Sequence, residues 1–249
     1  MKSVAVPAGL SKFLDDVEKE INPPTNRVWD NHPTRVPYDN PKMYRWKSWE
    51  PQTPFAPSFD VPIYLDSIDT TGIEDVISNK MLEDWTTYNI FDWDDQVIKN
   101  LADQIYQTYV EYITELCYDV IPKNKLWIRG WGVRIEPDDR LMHHAHAFHE
   151  NTYLSGNLSL SNLDTTTDYL FPYLGWYFGY WKVKNIPGTM TLFPSWVEHM
   201  VNTNDTKQVR FSLGFDLFTE QSISYISKNR NKNSGTQNIL LLSKLFSEI

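Results

Sequence analysis

The sequence predicts an α+β fold with a sandwich or barrel of β-strands at its centre. One long amphipathic helix is predicted over about 94–119, where apolar side chains recur at steps of three and four residues. After Pro122 the pattern changes to short strand-like segments broken by Pro and Gly, at 125–136, 152–162, 168–183, 188–193 and 207–218. A helix followed by many short strands is typical of an α+β protein.

The helix and the strands form the predicted core, 91–220, of one compact domain. Residues 1–90 are expected to form a short N-terminal helix capped by Ser11, an irregular wrapping segment rich in Pro and aromatic residues, and a strand at 61–66. Residues 221–249 are expected to form a polar linker and a strongly apolar C-terminal helix. That helix must pack either on the body of the protein or on a second copy, and the second alternative would give a homodimer through it.

Composition excludes several classes of function. A chain of 249 residues with 41% apolar and 14% aromatic side chains can bury a sizeable core. A net charge of −9 argues against non-specific nucleic-acid binding and against binding to anionic membranes. The sequence has neither an apolar run of about 18 residues nor a signal-peptide pattern, and its one cysteine, Cys117, cannot form an internal disulfide. These features predict a cytoplasmic protein that does not bind membranes.

Histidines mark the candidate site. Five of the six fall in two places, with four between 143 and 149 and one at His199. His144 and His146 are two residues apart, so both rings point the same way from an extended strand, and His199 can complete a three-point site across a folded sheet. Imidazole binds iron, zinc, copper and nickel, so residue type does not name the metal. A chance cluster in a solvated loop is the alternative.

A second candidate lies on the strand predicted over 207–218. Alternation places Phe211 and Leu213 on one face, and Arg210, Ser212 and Gly214 on the other. An arginine on the inward face of an apolar strand is costly unless it is paired. Its partner would be the carboxylate of a small molecule, which a guanidinium binds in bidentate fashion, or an internal Asp or Glu.

These residues together resemble a known family. The stretch from Trp131 to Phe215, about a third of the chain, resembles the non-haem Fe(II)/2-oxoglutarate dioxygenases, in particular a group found in bacteria and their phages. The residues that carry the resemblance are Trp131, His144-Ala-His146, Leu154-Ser-Gly156, Phe193-Pro-Ser-Trp-Val-Glu-His199 and Arg210-Phe-Ser212.

The resemblance implies both a fold and a chemistry. It implies a double-stranded β-helix, a jelly-roll or cupin-like core of mostly antiparallel strands. It implies Fe(II) bound by His144, His146 and His199, and 2-oxoglutarate as cosubstrate with its distal carboxylate on Arg210 and Ser212. Tyr153 and Asn157 are expected to line the cosubstrate pocket. The implied reaction uses O2 to hydroxylate a substrate, with release of succinate and CO2.

The histidine run departs from the family's pattern. The common triad is His-x-Asp/Glu followed by a distal His, but no acidic residue stands two positions after any histidine in this run. The second ligand is therefore His146, His149 or Glu150. The last choice is close to the metal pattern of cupins, so a cupin-type dioxygenase or isomerase without 2-oxoglutarate is one alternative. A metal-free structural or assembly protein is another. The primary substrate, a small molecule or a peptide, is not identified by the sequence.

Overall fold

The computed structural model describes residues 42–47, 55, 60–146, 153–170, 180–228 and 240–241. The helices in these residues are α1 (Ile73–Lys80), α2 (Gln96–Glu115) and α3 (Glu220–Lys228), and single 3-10 turns lie at Trp85–Thr87, Ile90–Asp92 and Lys123–Lys125. The strands are β1 (Met43–Lys47), β2 (Asp60–Ser67), β3 (Leu126–Ile135), β4 (Leu141–His144), β5 (Leu154–Ser159), β6 (Thr166–Leu170), β7 (Tyr180–Lys184), β8 (Thr189–Pro194), β9 (His199–Val201), β10 (Arg210–Thr219) and β11 (Leu240–Leu241).

The strands form two antiparallel sheets. The large sheet has the order β1-β2-β8-β5-β10-β3-β11, and the small sheet has the order β4-β9-β6-β7. The predicted α+β class with mostly antiparallel strands is confirmed, and the arrangement is that of a β-sandwich or jelly roll.

Helix α2 covers one face of the large sheet, called here the outer face. Its N-terminus is capped by Asp95, whose carboxylate accepts from the Val97 backbone N–H. Apolar side chains spaced three and four residues apart then point to the sheet and are fully buried, among them Ile98, Leu101 and Ile105. They pack on Leu158, Leu192, Leu213 and Phe215 from three neighbouring strands. This is the helix that the sequence periodicity predicts.

The opposite, inner face of the large sheet packs on the small sheet. Ile63 and Phe193 of the large sheet contact Tyr169 and Val183 of the small sheet in a second, smaller core. Alternation along β10 places Phe215 on the outer face and leaves Arg210 and Ser212 on the inner face, as the sequence predicts. The polar positions of the central strands therefore point into the space between the sheets.

Glycine at 156 allows β5 and β10 to pack closely. Gly156 pairs with Phe215 across the two strands. A Cβ at Gly156 would lie too close to Cζ of the Phe215 ring for two carbon atoms. Any larger residue would therefore displace the ring from the outer core.

The two ends of the chain meet the predictions only in part. Residues 1–41, which include the predicted N-terminal helix, lie outside the described residues. The predicted C-terminal helix is wrong at Leu240 and Leu241, which form β11 and pair with Ile128 and Trp127 of β3. On that side β3 would otherwise be an open sheet edge, and its unpaired backbone groups bind an extended segment. The other positions of that predicted helix lie outside the described residues. None of the described helices combines the length and apolar character needed to cross a bilayer.

Candidate metal centre and adjoining cavity

Three histidines meet between the two sheets. His144 ends β4 and pairs directly with His199, the first residue of β9. His146 follows β4, and its backbone N–H donates to the Ser195 carbonyl at 2.9 Å. The ring centroids lie 4.3 Å apart for His144 and His199, 5.0 Å for His146 and His199, and 5.3 Å for His144 and His146. One nitrogen of each ring lies within 4.8 Å of the others, so the three residues could hold a single metal ion.

Backbone carbonyls orient two of the rings. Nδ1 of His144 lies 2.8 Å from the Met142 carbonyl oxygen, and Nδ1 of His199 lies 3.2 Å from that of Val197. A carbonyl oxygen only accepts hydrogen bonds, so Nδ1 carries the proton in both rings. The lone pair of each neutral ring is then on Nε2, which is left available to a metal.

A carboxylate orients the third ring. Nδ1 of His146 lies 2.8 Å from Oδ1 of Asp216, which also accepts from the Ser155 hydroxyl at 2.6 Å. Asp216 is only 8% exposed. An ionised carboxylate accepts only, so it fixes the same tautomer in His146 and makes its Nε2 a stronger donor to a metal. The sequence predictions missed Asp216, although the alternation that places Arg210, Ser212 and Gly214 on the inner face continues to it.

Burial favours the neutral form of His199 and His144. Loss of solvent lowers the pKa of His199 well below its usual value, and the neighbouring His146 and His144 lower it further. Burial also lowers the pKa of His144. Both rings are therefore unprotonated on Nε2 at neutral pH, which is the state that binds a metal.

Arg210 is the largest of the fully buried side chains, with 1% of its surface exposed. Neither Nη1 nor Nη2 has a hydrogen-bond partner among the described residues. Burial lowers the pKa of the guanidinium to about 10, an effect that the Tyr169 phenol opposes. In the described part of the chain Arg210 has no acidic partner, so the internal ion pair considered above is not formed there.

A cavity of about 700 Å³ opens beside the histidines. All three rings line it, together with Ser212 and Asn157, whose Nδ2 donates to the Thr167 hydroxyl at 3.2 Å. Ser212 is the lining residue nearest to Arg210 along β10. The other lining residues come from β3, β4, β9, β10 and the segment after α1, and include Met81, Leu82, Glu83, Trp85, Arg129, Trp131, Arg134 and Glu136.

The prediction for Tyr153 needs correction. Its ring lies on the outer face of the large sheet, 6.2 Å from the Tyr109 ring of α2, and it does not line the cavity. Tyr153 stands one residue before β5 begins, so the alternation of the strand does not apply to it. Asn157 lines the cavity. His149 and Glu150, the two other candidates for the second ligand, lie outside the described residues.

No protein-family model matches the chain, and no curated protein matches it. Several solved structures are similar to it. One is a prolyl-4-hydroxylase from Pseudomonas putida, at 12% identity and TM-score 0.49 over 64% of this chain and 85% of that one. Another is SnoK, a non-haem α-ketoglutarate-dependent carbocyclase from nogalamycin biosynthesis, at 10% identity and TM-score 0.46 over 63% and 79%. A third is HygX from Streptomyces hygroscopicus, solved with nickel and 2-oxoglutarate bound, at 14% identity and TM-score 0.44 over 64% and 82%. Since these TM-scores are below 0.5, the function proposed below rests on the residues of this chain.

Proposed function

We propose that this protein is an Fe(II)- and 2-oxoglutarate-dependent oxygenase that hydroxylates a substrate and releases succinate and CO2. The observation that carries the proposal is the guanidinium of Arg210, which is fully buried on the inner face of the large sheet, between the sheets where the three histidines also meet. Two of its nitrogens have no hydrogen-bond partner among the described residues. A buried charge without a partner is costly, and a dicarboxylic keto acid would supply the missing partner.

The histidine cluster suits a metal that must keep open positions. Three imidazole ligands leave coordination sites for other ligands, as catalytic metal sites require. Fe(II) with 2-oxoglutarate and O2 would supply the oxidation of a C–H bond. With His146 as the second ligand, the site lacks the carboxylate found in the common triad. Asp216 would not contact the metal itself, but it places a carboxylate behind His146 through its hydrogen bond to that ring.

Arg210 and Ser212 would hold the distal carboxylate of the keto acid. Both are 1% exposed and stand two residues apart on the inner face of β10. Arg210 would provide two parallel N–H donors, and the Ser212 hydroxyl would provide a third. Asn157, which faces the same cavity, would lie beside the middle of the keto acid, between its metal-bound end and its distal carboxylate. The sheets would exclude water from the bound carboxylate, which strengthens each of these bonds.

We also propose that strands β3 to β10 form a double-stranded β-helix. The order of the pairs supports it, because β3 pairs with β10, β4 with β9, β5 with β8 and β6 with β7. These pairs alternate between the large and the small sheet. That is the pattern of one long antiparallel hairpin wound into a jelly roll.

An anaerobic titration tests the function. Protein loaded with Fe(II) should develop a weak visible charge-transfer band when 2-oxoglutarate is added, because the keto acid chelates the metal. The band should need a much higher concentration of 2-oxoglutarate in Arg210→Met and should be unchanged in Arg140→Met, whose arginine is exposed. Metal binding with no band at any 2-oxoglutarate concentration would instead favour a cupin-type site.

A further inference from the structure

A second arginine, Arg129, lines the cavity beside the histidines and lies far from Arg210. Strand β3 pairs with β10 so that Arg129 stands opposite Asp216, whereas Arg210 stands opposite Ile135. Six residues of extended strand separate the two positions, which is about 20 Å. Asp216 binds His146, so Arg129 is near the histidines at the end of the cavity that the proposed keto acid does not occupy.

Aromatic rings hold the Arg129 side chain in place. Its Cζ lies 5.0 Å from the centroid of the Trp85 ring and 5.6 Å from that of Trp131, and these two rings are 5.1 Å apart. Such contacts stabilise a cation and limit its rotation. Nη2 donates to the Trp85 carbonyl oxygen at 3.2 Å.

The hydrogen-bonding capacity of Arg129 is only partly used. Its Nε is buried and has no partner among the described residues. In that part of the chain Arg129 forms no ion pair, since Oδ1 of its neighbour Asp216 accepts from His146 and Ser155. Burial lowers the pKa of the guanidinium although Asp216 opposes the effect. Arg129 is therefore a positioned, partly desolvated cation that faces a cavity and forms no ion pair among the described residues, although the Asp216 carboxylate lies opposite it.

The walls around Arg129 restrict what can bind there. Met81, Leu82, Trp85 and Trp131 make one side apolar, and 40% of the Trp85 surface is still exposed. Glu83 and Glu136 also line the cavity. Glu136 pairs with Arg134 at 2.7 Å, and Asp216, which also lines the cavity, accepts from His146 and Ser155. Arg129 is therefore the cation that a ligand can use, and Glu83 and Asp216 limit how much negative charge the ligand can carry. A single negative charge fits this balance better than the double charge of a phosphate.

We propose that the primary substrate is an organic carboxylate whose carboxyl group pairs with Arg129 and whose apolar or aromatic body lies against Trp85 and Trp131. The term substrate rests on the oxygenase function proposed above. The carboxylate-binding site at Arg129 does not depend on that function. A carboxyl group anchored at Arg129 would extend the rest of the molecule toward the histidines, which line the same cavity.

The test uses three carboxylates, benzoate, 3-phenylpropionate and N-acetylphenylalanine, each compared with its neutral amide. Binding to the Ni(II)-loaded protein is followed by ligand-observed NMR with 2-oxoglutarate present. Each acid that binds should bind more tightly than its amide. Arg129→Gln should weaken the acid about ten- to hundredfold, the value of one hydrogen bond to a charged group, and should leave the amide unchanged. Arg134→Gln is the matched control and should change binding less than twofold, because Arg134 already pairs with Glu136.

Two further variants keep the test decisive. Arg129→Lys retains the charge and should recover part of the binding if the glutamine variant folds poorly. Arg210→Met should still bind the test acids but should bind 2-oxoglutarate much more weakly. Arg129→Gln should still bind 2-oxoglutarate but should bind the test acids more weakly. If Arg210→Met loses neither, the oxygenase proposal fails while the Arg129 site stands. Wild-type protein that binds no acid better than its amide, or acid binding equally weakened by Arg129→Gln and Arg134→Gln, would overturn the Arg129 site.

Discussion

Replacing Arg210 by methionine should make the metal-free protein more stable and should remove its affinity for 2-oxoglutarate. The guanidinium is 1% exposed and two of its nitrogens lack partners among the described residues. Burial lowers its pKa to about 10, which corresponds to a destabilisation of about 3 kcal/mol from keeping the charge buried at neutral pH. Methionine fills a similar volume without that charge, so the free energy of unfolding should rise by about 1–3 kcal/mol.

The loss of ligand should be larger than the gain in stability. Truncating one partner of a buried charged pair typically costs about 2–5 kcal/mol, which is about 30- to several-thousand-fold in affinity for 2-oxoglutarate. Arg210→Lys should retain only part of the affinity for 2-oxoglutarate, since an ammonium cannot form two parallel bonds to a carboxylate. Ser212→Ala should cost about 1.5–3 kcal/mol, the value of one hydrogen bond to a charged group.

Urea unfolding with and without Fe(II) and 2-oxoglutarate measures both effects. Wild-type protein should gain about 2.7 kcal/mol when 2-oxoglutarate is present at 100 times its dissociation constant, and Arg210→Met should gain far less at the same concentration. A lower free energy of unfolding for metal-free Arg210→Met than for the metal-free wild type would refute the reasoning. If Arg210 pairs with an acidic side chain of this chain, its removal leaves that carboxylate buried and destabilises the metal-free protein by about 3–5 kcal/mol, with no change in 2-oxoglutarate affinity.

Three other changes test the site and its frame. His199→Ala should abolish Fe(II) binding measured by anaerobic titration, whereas His143→Ala, whose ring is exposed on the other side of β4, should be nearly silent, and equal effects would exclude the assigned cluster. Asp216→Ala should weaken metal binding about ten- to hundredfold by releasing the ring it orients, and an unchanged affinity would show that the carboxylate has no such role. Gly156→Ala should cost about 1–3 kcal/mol in thermal unfolding, because its Cβ overlaps the Phe215 ring, and wild-type stability would contradict that packing.

Local periodicity explains what could be predicted from the sequence. The spacing of apolar residues in α2 and the alternation along β10 follow from the geometry of a helix and a strand, which each residue's neighbours set. The inward position of Arg210 and Ser212 followed from the same rule. The clustering of histidines in a chain with only six of them also pointed to the candidate metal site without any structure.

Contacts between distant residues explain what could not be predicted. His146 joins the cluster because its backbone binds Ser195 and its ring binds Asp216, 49 and 70 positions away by number. Strands β4 and β9, of four and three residues, are too short to carry a periodic pattern, and their pairing alone brings His144 to His199. Tyr153 turns to the outer face because Tyr109 of α2 lies there. Leu240 and Leu241 are extended rather than helical because β3 offers them an open edge. The chain's own periodicities place side chains on faces, but only the packing of one element on another selects which faces meet.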